Sequence, residues 1–294
     1  STLLDRKQTS NKQADVRFKN YKNQPLKFKF PKNFNGSLIK LPSGKKPKAA
    51  ILREKGSNSE RELANALHIA GFDVKDIHMT DLISGKETLQ DIKFLGAVGG
   101  FSNSDVLGSA KGWAGSFKYN ESAKNALENF FSRKDTLSIG ICNGCQLFME
   151  LDLIYPRHEN HGKMSFNDSR KHESNFTSVK IKTNNSIMLG SLEQLNLGVW
   201  ISHGEGKFKL PYPKENYNIV AEYGYPDYPS NPNGSDYNTA MLSSDDGRHL
   251  VTMPHIERSI FKWNWAYYVD DRDDILSPWV LAFLNAKNWI LENS

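Results

Sequence analysis

A chain of 294 residues with 38% hydrophobic and 24% charged residues has apolar mass for one large domain or two smaller ones. No apolar run approaches the roughly 20 residues that span a bilayer, and no secretory leader with an apolar centre opens the chain, so no membrane partner is expected. Two cysteines three positions apart exclude a disulfide framework, and a reducing, cytoplasmic setting is expected.

The net charge of +5 is unevenly spread. Residues 1–48 hold 13 Lys/Arg against 2 Asp/Glu, and the remainder is mildly acidic. A basic arm can bind nucleic acid. This one lacks the aromatic and glycine pattern of RNA-binding modules. It therefore reads as a solvated linker or a segment parted from its neighbour, with no nucleic-acid partner. The chain opens on Ser1 rather than Met, which predicts a piece of something longer.

Residues 1–22 are polar and lack periodicity. Pro25 to Phe30 alternates apolar and basic residues, as an edge strand or a strap over another surface does. Pro31 to Pro47 reads as a linker, so the boundary falls between an arm at 1–47 and a body at 48–294. In the body, Ala49 to Leu52 predicts a buried strand. Ser57, Asn58 or Ser59 can cap the next helix; Leu63, Ala66, Leu67 and Ala70 form its stripe and Gly71 its end. Phe72 to Ile77 and Phe94 to Val98 read as strands, and 121–131 as a helix with Ala123, Ala126, Leu127, Phe130 and Phe131 near one face. Leu137 to Ile139 leads into Gly140-Ile141-Cys142-Asn143-Gly144-Cys145-Gln146, a strand, a tight turn and a helix. Further strands are expected at Thr177 to Ile181, Gly198 to Ile201 and His249 to Met253, with a long loop at 223–236 and a last helix through Val280 to Ile290. Alternating strands and helices predict an α/β fold: an open, mostly parallel sheet with helices on both faces, and sites at the C-terminal strand ends.

Three strand ends carry candidate chemistry. A sharp turn lifts Cys142 clear of the sheet, small Gly140 and Gly144 let the backbone crowd there, and the helix N-terminus behind it favours a thiolate. Cys142 and Cys145 also spell C-x-x-C, a redox or metal pattern. A zinc site needs two more ligands, and no His pair has finger spacing, so no metal is expected. Gly99-Gly100-Phe101 ends the third strand and exposes backbone N–H groups, as an oxyanion hole requires. His255-x-Glu257 in extended chain puts an imidazole and a carboxylate on one face, the base and orienter of a nucleophilic triad. Ser202-His203-Gly204-Glu205-Gly206 suggests a loop lining a pocket. His203 rivals His255 as the base, and the residues alone leave that choice open.

Gly140-x-Cys142-x-Gly144-x-Gln146 with His255-x-Glu257 resembles the class I (triad) glutamine amidotransferases. The resemblance narrows to the glutaminase domains of the phosphoribosylformylglycinamidine synthase family, ligases of purine biosynthesis. It is carried by Gly99-Gly100-Phe101-Ser102, Asp105-Val106-Leu107-Gly108, Gly112-Trp113-Ala114, the Cys142 segment, Ser202 to Gly206, Tyr228 to Ser235, Asp246-Gly247-Arg248, Met253 to Arg258 and Ser277-Pro278-Trp279, in order from about Lys48 to the C-terminus. Two departures stand out: Asn103-Ser104 where the family has Tyr-Gly, and Ile256 where it has Pro. The first predicts an altered loop backbone, because Ser104 takes positive φ less cheaply than Gly.

The resemblance implies a flavodoxin-like sheet and hydrolysis of glutamine to glutamate and ammonia through a γ-glutamyl thioester. It makes Cys142 the nucleophile, His255 the base and Glu257 its orienter. Gly100, Phe101 and Asn143 supply the oxyanion hole, and Gly99, Gln146, Ser202, His203 and Gly204 hold glutamine. It implies no cofactor in this domain. ATP and Mg2+ belong to a synthetase region of the same polypeptide, outside this chain, which uses the ammonia to make formylglycinamidine ribonucleotide. The readings set against it are a stand-alone γ-glutamyl cysteine hydrolase, a C-x-x-C thiol redox module in which both cysteines act, and a non-catalytic scaffold.

Overall fold

The computed structural model describes residues 13–23, 26–39, 44, 46–269 and 271–293. Nine strands form the central sheet: β1 (Lys48–Arg53), β2 (Asp73–His78), β3 (Phe94–Ala97), β4 (Leu137–Ile141), β5 (Glu173–Ile181), β6 (Asn196–His203), β7 (Asn218–Tyr223), β8 (Thr239–Ser243) and β9 (His249–Thr252). Their order across the sheet is β2-β1-β3-β4-β9-β8-β7-β5-β6. The first five run parallel. From β9 onward each neighbour is antiparallel.

The chain's own connections explain the division. Parallel neighbours need long crossovers, and the first half supplies helices at Glu60–Ala70, Glu121–Ser132 and Asn143–Glu150. The second half has shorter connections, which suit antiparallel pairing. The inner strands of the parallel half are covered on both faces, so Ala49 to Leu52 and all of β4 are buried. β7 and β8, which the sequence reading left unassigned, extend the sheet.

Several local expectations hold. The helix Glu60–Ala70 buries Leu63, Ala66, Leu67 and Ala70 and ends on Gly71 at φ 100°. Its start differs: Ser59 makes no side-chain cap, and Ser57–Asn58 instead pair with Gly99–Gly100 in a two-residue ladder.

The arm is only partly described, since 1–12, 24–25, 40–43 and 45 lie outside the described residues. Within it Gln13–Lys19 is helical, where no periodicity predicted a helix. The expected strap is present: Lys29 bridges Asn196 on the edge strand β6, and Phe28 and Phe30 pack on Trp265 with ring centres 5.0 and 5.7 Å apart. The linker reading of Pro31 to Pro47 does not hold for its first part. Phe34 O accepts from Arg272 Nη2 at 2.5 Å, and Gly36 O accepts from Ile275 and Leu276. Aromatic residues spaced through the basic segment anchor it to the body.

Packing under the β4 turn leaves no room for a side chain. A Cβ at Gly144 would stand 2.1 Å from the Ala97 carbonyl oxygen of β3. Gly144→Ala is therefore expected to lower Tm by roughly 2–10 °C, the range for overpacking a core of this size. Gly190→Ala, where a Cβ meets nothing within 4 Å, leaves Tm unchanged in the same calorimetric comparison.

Candidate active site

β4 is flanked by β3 and β9, so the loops leaving these three strands must meet. Cys142 sits at the turn out of β4 with φ 51° and ψ −102°, a conformation costing on the order of 1–3 kcal/mol. Its N–H donates to Thr252 O of β9 at 2.8 Å, which fixes the turn from the neighbouring strand. Its Sγ donates to Ser202 O at 3.6 Å, and the residue is 5% exposed.

His255 follows β9, with its own N–H given to Trp200 O at 2.8 Å. Its Nδ1 lies 2.6 Å from Glu257 Oε1, which leaves Nε2 for the thiol. The pair does not share one face of extended chain as expected: Glu257 stands in a short 3₁₀ turn, Ile256–Ser259, that folds its carboxylate back onto the ring. Both residues are buried. Burial opposes charge on His255, but the Glu257 carboxylate and the Cys142 sulfur outweigh it and hold the imidazole near pKa 10. The arrangement is a sulfur nucleophile, a base in contact with it and a carboxylate that orients the base.

The rival histidine is elsewhere. His203 is buried with Nε2 3.4 Å from Asn233 Nδ2. Burial, with His255 nearby, pushes it down to about pKa 3. Its ring is turned toward Asn233 rather than toward the Cys142 sulfur's hydrogen-bond partners. Cys145 is also buried, and burial raises its thiol pKa well above the ordinary value, against a redox partnership with Cys142.

The oxyanion candidates divide. Asn143 opens the helix Asn143–Glu150, where N–H groups lack intrahelical acceptors. Phe101 is a correction: its N–H donates to Gly56 O at 3.0 Å and is spent. That bond makes Phe101 and Gly56 a bonded pair, so the next pair in the ladder, Gly100 and Ser57, points its N–H groups away from each other. Gly100 is thus the free donor, at φ 113° and with no space for a Cβ, which would stand 2.5 Å from Asn58 N. Ser59, missed as anything but a cap, accepts from Gly99 N–H at 3.2 Å. Beyond Gly100, Asn103, Ser104 and Asp105 all adopt left-handed φ of 52–56°. Ser104 thus takes a positive φ, at a cost in strain that glycine would not bear.

Of the expected glutamine contacts, Ser202 reaches the thiol, and a Cβ at Gly204 would face open space. Gly99 lies against His255 Cε1. Gln146 is engaged by the protein at both ends of its amide, through Asn143 Nδ2 (3.0 Å) and Glu205 O (2.8 Å). A cleft of about 490 Å³ reaches Ser202, His255 and Glu257 between Trp200, Ser174 and Arg258. Buried Asn167 shapes the Ser202–Gly206 loop, donating to His203 O at 2.7 Å and accepting from Gly206 N at 3.0 Å. No local signal marks it, because its partners lie nearly forty residues away. Among the described residues no group of three or more His, Cys, Asp or Glu is placed to hold a metal ion, and no helix is long and apolar enough to cross a membrane.

His255 sets a pH dependence. Its folded pKa lies above the ordinary 6.5, so its contribution to stability is full below pH 6.5 and is lost as pH rises through about 10. Denaturant unfolding at pH 6, 8 and 10 should show stability falling with pH. Glu257→Gln should flatten that fall, and an unchanged slope would place the dependence on other groups.

Residues 46–290 match the CobB/CobQ-like glutamine amidotransferase domain family. The chain is 40% identical over 292 residues to the phosphoribosylformylglycinamidine synthase of Homo sapiens, covering 90% of this chain and 22% of that protein. With the phosphoribosylformylglycinamidine synthase of Dictyostelium discoideum it shares 39% identity over 277 residues, covering 85% and 20%. It therefore spans about a fifth of the length of the curated relatives it matches. Among solved structures it is similar to PurLQS from Thermotoga maritima, with a TM-score of 0.63 at 22% identity, covering 84% of this chain and 99% of that one. That likeness speaks for the fold.

Proposed function

The chain belongs to the CobB/CobQ-like glutamine amidotransferase domain family, and from that premise we propose that it is the glutaminase part of a phosphoribosylformylglycinamidine synthase. The observation that carries the proposal is the buried Cys142–His255–Glu257 array, with Glu257 Oε1 2.6 Å from His255 Nδ1 and the Cys142 sulfur close enough to raise the same ring's pKa. The relatives it resembles over about a fifth of their length are phosphoribosylformylglycinamidine synthases, which supports the synthase.

The chemistry runs in two halves. Cys142 sulfur attacks the side-chain amide carbon of glutamine while the oxyanion forms beside the N–H groups of Gly100 and Asn143. One such donor is worth roughly 3 kcal/mol in other hydrolases. His255, in its imidazolium form, gives a proton to the departing nitrogen, and ammonia leaves a γ-glutamyl thioester on Cys142. Water, deprotonated by His255, attacks the thioester carbon. Glutamate departs and sulfur regains its partner. The balance is glutamine plus water to glutamate plus ammonia.

On this reading residues 48–294 form the glutaminase, and 1–47 is an arm partly strapped to it. Ammonia passes to a synthetase region that uses ATP and Mg2+ in the cytoplasm. Glutamine is the substrate, and the domain itself needs no cofactor. The two strongest rival readings differ in their variants. Under the glutaminase reading Cys142→Ala lowers glutamine hydrolysis by at least about 10³-fold, and Cys145→Ala costs under about fivefold. Equal losses in a coupled glutamate assay would favour a redox pair. Faster turnover of γ-glutamyl peptides than of glutamine would favour a stand-alone hydrolase.

A further inference from the structure

Outside the triad, one buried side chain holds the loop at the end of β6. Antiparallel pairing of Lys163–Ser165 with Lys207–Lys209 brings the segment after Ser165 against the Ser202–Gly206 loop. There Asn167 meets the loop with its main chain and with both ends of its amide. Its N–H donates to Gly204 O at 2.9 Å, its Nδ2 donates to His203 O at 2.7 Å, and its Oδ1 accepts from Gly206 N–H at 3.0 Å. Nδ2 also donates to Lys171 O at 2.9 Å, across the turn in which Arg170 N–H donates to Asn167 O. Asp168 N–H donates to Asn233 O at 3.1 Å and so ties that turn to the body. Asn167 is 0% exposed, so each bond lost leaves a buried polar group without its partner. It takes three of the loop's backbone groups and leaves two: among the described residues, the N–H groups of Gly204 and Glu205 have no protein acceptor. Successive free main-chain N–H groups are the kind of concavity that takes an anion. A Cβ at Gly204 would meet open space, and Ser202, at the loop's entrance, lines the cleft that reaches His255.

We propose that Asn167 is a positioning residue for substrate binding: by fixing His203 O, Gly204 O and Gly206 N–H, it holds the Ser202–Gly206 loop in the form that receives the α-carboxylate of glutamine. The proposal rests on the glutaminase reading and deepens it, since Asn167 is sealed from solvent and acts through the loop. The α-carboxylate lies away from the amide that is cleaved and keeps its charge throughout. Contacts to it therefore stabilise bound glutamine and the transition state alike, and their loss raises KM while sparing kcat. A residue that only kept the fold together would lower Tm and leave KM of the folded fraction unaltered.

The test uses Asn167→Leu, which is close in volume and removes every side-chain bond, and Asn167→Ser, which is smaller and too short to span His203 O and Gly206 N–H. Each is assayed for glutamine hydrolysis, for inactivation by a glutamine-like diazoketone, which carries the α-carboxylate, and for alkylation of Cys142 by iodoacetamide, which does not. Asn167→Leu is expected to raise KM for glutamine roughly 10- to 100-fold, the scale of one lost hydrogen bond to a charged group. Its kcat is expected to stay within about threefold and its iodoacetamide alkylation within about twofold, while inactivation by dilute diazoketone slows as KM rises. Asn167→Ser is expected to show the same split. A fall in kcat with KM unchanged, a parallel fall in the diazoketone and iodoacetamide rates, or rates that all match the wild type overturns the proposal. If Asn167→Leu does not fold, Asn167→Ser decides on the same readouts. A wild-type chain that neither hydrolyses glutamine nor reacts at Cys142 with the diazoketone would sink the underlying glutaminase reading, and the role of Asn167 with it.

Discussion

The backbone at Cys142 turns out of the sheet within one residue, and the rest of the site follows from how that turn is held. β4 lies in the interior of the sheet, so Thr252 of β9 takes the Cys142 N–H on one side and Ala97 of β3 presses against Gly144 on the other. Parallel order then makes the remaining geometry hard to avoid. The segment leaving β3 brings Gly99 and Gly100, and the segment leaving β9 brings His255. The antiparallel extension contributes Ser202 at the end of β6, whose carbonyl meets the sulfur. The segments leaving β3 and β9, far apart in sequence, converge because both strands neighbour β4.

Burial does the electrostatic sorting. His255 and His203 are equally covered, yet one is driven up and the other down. The difference is the partner: a carboxylate and a sulfur for His255, an amide for His203. Desolvation alone disfavours a charged imidazole, and only a neighbouring negative group reverses this. Burial likewise raises the Cys145 thiol well above its ordinary range.

Much of this was legible in the residues. The strands around Ala49, Phe94 and Leu137, the Glu60–Ala70 helix and the nucleophile turn follow from apolar runs, stripe spacing and glycines. Sequence logic alone could not choose between His203 and His255, because direction of a ring is a tertiary fact. It put Phe101 in the oxyanion hole, where ladder parity gives that N–H to Gly56. It read Ser59 as a helix cap, where a two-residue ladder turns its hydroxyl onto Gly99. It missed Asn167, whose partners arrive from a distant loop, and the two antiparallel strands β7 and β8. The arm's charge masked its phenylalanines, which decide where it packs. In each case the miss is a long-range contact overriding a sound local preference.

The central claim is that Cys142 carries the glutamyl group. The direct measurement is to mix the chain with isotopically labelled glutamine, quench in acid within a turnover and map the adduct by peptide mass spectrometry. The account predicts a hydroxylamine-labile glutamyl adduct on the peptide bearing Cys142 and Cys145, located at Cys142 by fragmentation and absent from Cys142→Ala. An adduct on Cys145, or hydrolysis of glutamine with no covalent intermediate in the quenched protein, would contradict it.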